Sequence, residues 1–262
     1  MNLIYCLTPR CGSTSLAQAI EWSTGNRVCA EPFNPDCHEG RFAMNYRVHK
    51  HNLGDVSGLQ KDFEMAYADI LRDRQLWSVL KHLREHLNEE DNKNLINKSD
   101  SILYLYRNNL FDYIVSMHLS RSISEDPDNI MFWNFSGRAK VFGHSEMSKY
   151  AKRAREIYNT RPRSSINTSL FKNWCQDIKN QHIKTKGYLK NKNAMILSYE
   201  SLYSHSNTKY MEIIDFFGYK IKNDLWKKMF EPINKVASEQ AKSLIENYED
   251  VIKYREELIL DD

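Results

Sequence analysis

Glycine and proline are scarce in this chain, with 9 and 6 among 262 residues. So few turn formers exclude elaborate loops over most of the length, and the chain is expected to be mostly helix and strand. Charge of one sign is also lacking. A formal net charge of +3 argues against a nucleic-acid coat, while leaving room for a local basic pocket that takes a small anion. No apolar run approaches the ~18 residues a membrane span needs. The five cysteines (Cys6, Cys11, Cys29, Cys37, Cys175) are odd in number and fit no zinc spacing. They read as free thiols of a reducing compartment. The short apolar stretch at the N-terminus leads straight into a motif and does not read as a secretory signal. A cytoplasmic location is expected.

Hydrophobic residues make up 41 % and charged residues 27 %, and 15 Tyr and 11 Phe argue against long disorder. The length suits one α/β domain with a sizeable core. Residues 2–7 (NLIYCL) read as a buried strand stopped by Thr8-Pro9. Ser13 is placed to cap a helix from Thr14 to Thr24, ended by Gly25-Asn26. Residues 27–30 read as a second strand. Further helices are expected at 61–74, 110–121 and 168–184, and a charged helix from the end of the third strand to Asn92. Further strands are expected at 76–80, 101–106 and 194–198, and the remainder is expected to be helical. Alternating strands and helices imply a three-layer α/β fold, a central parallel sheet flanked by helices. No repeat or dividing linker is evident, so residues 1–262 are expected to form a single domain. The irregular segment 124–165 is expected to be a lid.

Strand, then TPRCGSTS at 8–15, then helix is an arrangement that binds phosphates in α/β proteins. Helix-start N–H groups and the helix dipole favour an anion there. Gly12 allows close approach, Ser13, Thr14 and Ser15 add hydroxyls, and Arg10 adds a fixed charge. A kinase loop would read GxxxxGK[ST], and it would want a strand-end Asp for Mg²⁺. Here there is no such lysine, and the strand at 101–106 ends in Arg107. Two basic groups at strand ends suit an anionic cofactor that needs no metal, and no metal is expected.

The strand–PRxGST–helix pattern resembles the 5′-phosphosulfate loop of sulfotransferases that use 3′-phosphoadenosine 5′-phosphosulfate (PAPS), notably carbohydrate and bacterial-type members. The resemblance implies a P-loop NTPase-like sulfotransferase fold and a phosphosulfate held by Arg10, Cys11, Gly12, Ser13, Thr14 and Ser15. Cys11 stands where the family often has Ser. The segment YLYRNNLFDYIVSMHLSR at 104–121 resembles the family's 3′-phosphate motif, with Arg107 and Ser116 nine residues apart as in R-x-N-type members. Two candidates for the base are implied. Glu31 stands in an E-P-F context like that of some carbohydrate members, and His82 follows Lys81 as at a comparable strand end in hormone-type members. Lys81 would steady the bridging oxygen. The acceptor would be a hydroxyl of a carbohydrate or small alcohol, and the nucleotide product adenosine 3′,5′-bisphosphate.

Other signals are weaker. LSYESL at 197–202 resembles a late family segment in which Tyr199 and Glu200 support the site. Lys235 stands where some members place a lysine near the 3′-phosphate, and the Gly-rich C-terminal loop of hormone-type enzymes is missing. Phe132, Trp133 and Phe135 form either a stacking wall or a private core, and the basic run Lys149–Arg155 reads as a solvated face. The stretch His49-Lys50-His51 reads as a solvated loop. Two other readings remain at this level: a metal-dependent P-loop kinase of a small molecule, and a non-catalytic nucleotide-binding scaffold.

Overall fold

The computed structural model describes residues 1–33, 63, 64, 67, 68, 70, 72, 77–124, 165–230, 242–255 and 258–260. The expectations for the segment 125–164, His49–His51, Cys37 and Lys235 lie outside the described residues. The described residues of the helix expected at 61–74 are helical.

The chain divides into two compact units, residues 1–106 with 184–224, and 107–183 with 225–262. The first holds the sheet. Its strands are β1 (Asn2–Cys6), β2 (Val28–Ala30), β3 (Val79–Leu83), β4 (Ile102–Tyr106) and β5 (Ala194–Ser198). They run parallel in the order β2-β3-β1-β4-β5. β1, β3 and β4 are buried along most or all of their length, as central parallel strands must be when both faces are covered. The fold is α/β with a five-stranded parallel sheet and flanking helices, as the alternating pattern predicts.

Register decides which face each side chain takes. Ile4 lies opposite Lys81, and Tyr5 opposite His82 and Tyr104. Because strand side chains alternate, Ile4, Cys6 and Lys81 share one face, while Tyr5, His82 and Tyr104 share the other. Helix α1 (Ser13–Thr24) lies on the Lys81 face, since Lys81 reaches Thr14. Helix α2 (Glu89–Asn97) lies on the opposite face, since Asn92 meets Tyr5 and His82.

Three boundaries depart from the sequence reading. Gly12, rather than Ser13, takes the cap position of α1, at φ 78°, and Ser13 is the first helical residue. The chain turns left-handed there, which glycine does without a Cβ penalty. The third strand is Val79–Leu83 rather than 76–80, so Lys81 and His82 lie within it and not beyond its end. A short 3₁₀ turn at Arg84–His86 follows, and the charged helix starts only at Glu89, capped by Asn88, whose side chain accepts from the Asp91 N–H at 2.8 Å. Glu89, Glu90 and Asp91 in its first turn suit the positive end of the helix dipole.

After β5 come α5 (Tyr199–Ser204) and α6 (Ser206–Phe216), the latter tied to α1 by Tyr210, whose hydroxyl donates to the Ala19 carbonyl at 2.9 Å. In these labels α3 is Leu110–Ser124 and α4 is Thr168–Leu189, each longer than its pattern predicts. In the second unit Phe111 of α3 packs on Phe171 and Tyr248, and Tyr113 on Trp174. Asn109 caps α3 by accepting from the Asp112 N–H at 2.9 Å. No helix among the described residues is long and apolar enough to cross a membrane.

Asn92 is the polar hub under the sheet. Its carbonyl oxygen accepts from the Tyr5 hydroxyl at 2.9 Å and faces His82 Nε2 at 2.9 Å, and its amide donates to the carbonyls of Arg84, Leu87 and Asn88. It is 2 % exposed, so its loss leaves several buried polar groups without partners. Asn92→Ala is expected to cost about 3 kcal/mol of unfolding free energy, read as a lowered urea midpoint at unchanged slope. A loss under about 0.5 kcal/mol would show that the hub is dispensable.

Candidate functional site

The loop between β1 and α1 turns on two left-handed residues, Arg10 at φ 64° and Gly12 at φ 78°. Arg10 is exposed, while Cys11 between them is fully buried. The loop thus turns a guanidinium outward and a thiol inward. Cys11 and Cys6 are hydrogen-bonded to each other and to Ser13. Burial pushes the Cys6 thiol well up, whereas the bond from Cys6 lowers Cys11. Gly12 has no side chain to cap α1, and the backbone N–H of Ser13 donates to the Cys11 side chain. The Thr8 hydroxyl, 5 % exposed at the start of the loop, has no hydrogen-bond partner among the described residues.

Lys81 lies beneath this loop. Its ammonium donates to Thr14 Oγ1 at 3.1 Å and forms an ion pair with Glu31. Its side chain is 4 % exposed and that of Glu31 19 %. Glu31 follows β2 directly, and its N–H donates to the Lys81 carbonyl at 2.8 Å, extending the sheet by one bond. To aim its carboxylate at Lys81 it takes φ 52°. Arg10 and Glu31 are the only non-glycine residues with positive φ among those described, and such a backbone costs about 1–2 kcal/mol per residue. Strain of this kind persists where the surroundings over-determine it, which happens most often at functional sites.

His82 faces the other way. It is fully buried between Tyr5 and Phe33, with ring centroids 5.6 Å away in each case. Its Nε2 meets Asn92, and its Nδ1 has no partner among the described residues. Burial brings its pKa down to about 3, against the opposing pull of the bond with Asn92. The structure therefore brings Lys81, Glu31 and Thr14 together and keeps His82 on the opposite face of the sheet.

Arg107 follows β4 directly and is half-buried. Ser116 lies on α3, and its side chain is outside the described residues. Tyr203 is a residue the sequence reading passes over. Its hydroxyl is hydrogen-bonded to Ser15, and its ring stands beside Gly12. The signal available was the four-residue spacing of Tyr199 and Tyr203, which puts both on one side of a helix.

The family model for the sulfotransferase domain matches residues 3–250. The chain therefore belongs to the sulfotransferase family, whose members are enzymes that transfer sulfuryl groups. No curated protein matches it by sequence. Among solved structures it is similar to the crystal structure of a sulfotransferase from Alicyclobacillus acidocaldarius, at 13 % identity and a TM-score of 0.41, over 100 % of this chain and 96 % of that one.

A histidine held neutral at about 3, against an ordinary value of 6.5, binds its proton more readily in the unfolded chain. Between those values the unfolded state carries the extra proton, so stability falls as pH drops below about 6.5, by up to about 1.4 kcal/mol per pH unit. Urea unfolding at pH 7.5, 6 and 5 is expected to show this slope, and His82→Leu to remove that share of it. Parallel pH profiles for the two proteins would show that His82 is not held neutral.

Proposed function

We propose that this chain moves a sulfuryl group from PAPS to a hydroxyl of a carbohydrate or small alcohol. The observation that carries the reading is Lys81, whose ammonium joins the loop hydroxyl of Thr14 to the carboxylate of Glu31. It links a loop suited to a phosphosulfate with a carboxylate suited to take a proton.

The residues fit such a donor. The left-handed glycine at the start of α1 and the helix-start N–H groups suit an anion. Arg10, Cys11, Gly12, Ser13, Thr14 and Ser15 would hold the 5′-phosphosulfate, Cys11 through its backbone. Arg107 and Ser116 would hold the 3′-phosphate, a guanidinium forking onto its oxygens and a hydroxyl adding one bond. When bound, PAPS supplies the sulfuryl group and leaves as adenosine 3′,5′-bisphosphate.

The chain's own residues then have distinct tasks. Arg10 and Lys81 place positive charge where negative charge collects as the sulfuryl group departs. Two of the three Lys81 donors are directed to Thr14 and Glu31, which leaves one for that oxygen. Glu31 takes the acceptor's proton, with its carboxylate held by Lys81. We assign the base to Glu31 and not to His82, because His82 lies on the other face of the sheet, enclosed by Phe33 and Tyr5.

Calorimetric titration with adenosine 3′,5′-bisphosphate, ADP and ATP, each with and without Mg²⁺, tests the donor. Tight, Mg²⁺-independent binding of the bisphosphate alone is expected. Preference for ATP with Mg²⁺ would point to a kinase, and no binding at all to a scaffold. With an acceptor in hand, Glu31→Gln is expected to lower kcat about 100-fold while bisphosphate affinity changes little. An unchanged kcat would remove Glu31 from the role of base.

A further inference from the structure

We propose that Tyr203 is a positioning residue for the loop at residues 8–15, fixing the Ser15 hydroxyl and the path of Gly12 for the anion that binds there. The proposal rests on the phosphosulfate reading of that loop.

Helix α5 starts where β5 ends, and Ser198 caps it by accepting from the Ser201 N–H at 3.1 Å. Leu202 is fully buried, which anchors the helix and limits how far Tyr203 can move. The rings of Tyr199 and Tyr203 lie 4.5 Å apart and form one wall. A Cβ added at Gly12 would stand 2.6 Å from Tyr203 Cε2, 3.0 Å from its Oη and 3.1 Å from Tyr199 Cδ2. This wall occupies the space that a side chain at position 12 would need. The loop therefore requires glycine for two reasons, its left-handed backbone and the tyrosines beside it.

The hydroxyl of Tyr203 adds direction. Burial pushes its pKa up to about 12, so it keeps its proton through the neutral range and remains a donor. A serine hydroxyl has one hydrogen and two lone pairs. In this proposal Tyr203 is the donor of its bond with Ser15, which leaves the hydrogen of Ser15 to point at an anion. Without Tyr203, that hydroxyl rotates among several partners and is ordered only at a cost when the ligand arrives. Tyr203 touches neither the sulfuryl group nor the acceptor in this account.

The test is a double-mutant cycle of Tyr203→Phe and Ser15→Ala. It is read in calorimetric affinity for adenosine 3′,5′-bisphosphate, in KM and kcat for PAPS, and in Tm. Each single change is expected to weaken bisphosphate binding about ten-fold and to act on KM more than on kcat, with Tm close to that of the wild type. The double variant is expected to bind no worse than either single one, because both break the same bond. Should the ring substitution lower Tm, Ser15→Ala still reports on the bond from a half-buried position. Unchanged affinity in Tyr203→Phe, or losses that add fully in the double variant, would overturn the proposal while leaving the loop assignment intact. A wild type that does not bind the bisphosphate would overturn the loop reading itself, and Tyr203's role with it.

Discussion

Lys81 carries a positive charge into the middle of β3, where the residue is 3 % exposed. An ammonium taken out of water must be paired and hydrogen-bonded, because its desolvation costs several kcal/mol. That requirement reaches in two directions. It draws the chain after β2 into a left-handed turn so that Glu31 can meet the charge, and it ties Thr14, in the first turn of α1, down onto the sheet. The loop at residues 8–15 is thus held from below by a side chain 67 residues away in sequence. Removing Lys81 alone would take its ammonium from the Glu31 carboxylate, and removing Glu31 alone would leave the buried ammonium without that counter-charge.

The two faces of β3 solve two different problems with adjacent residues. Lys81 is buried charged on one face, beside the loop. His82 is buried neutral on the other, against aromatic rings and a single amide. Strand alternation makes this separation unavoidable once the strand spans Val79–Leu83. Reading Lys81 and His82 as a pair at a strand end requires a strand that stops at Leu80, where both could turn toward one centre. The register with β1 rules that geometry out, since Ile4 and Tyr5 lie opposite them and are themselves fully covered.

This is also where the sequence is least legible. β4 and β5 follow from their apolar runs, and the end of α1 follows from Gly25, which takes φ 76° and bonds back to the Glu21 carbonyl. β3 fails by three residues because an apolar run ends at Leu80, while the strand continues through two ionisable residues whose burial depends on partners elsewhere. Glu31 and Lys81 are each recognisable as candidates, but their ion pair joins positions 50 apart and no local pattern announces it. The cap of α1 fails for a related reason. Ser13 has the right chemistry for a cap, yet the turn that brings the loop back over the sheet needs a left-handed residue, and Gly12 is the one that adopts it cheaply. Tyr203 is hidden most fully, since the helix that carries it has six residues and its partners stand near the start of the chain.

Strain connects these features. Arg10 and Glu31 both hold backbones that an ordinary side chain avoids. Relaxing Arg10 would change the direction of the exposed guanidinium and lift Cys11 from its contact with Cys6. Relaxing Glu31 would swing its carboxylate off the buried ammonium. For Glu31 the strain costs less than the arrangement it maintains, since an unpaired buried ion costs about 3–5 kcal/mol against about 1–2 kcal/mol for a left-handed residue. The folded chain therefore keeps the turn at Glu31, and the positive charge of Lys81 stays fixed beneath the loop. In the transfer we propose, a charge already in place needs no reorganisation when the bond to the departing group breaks.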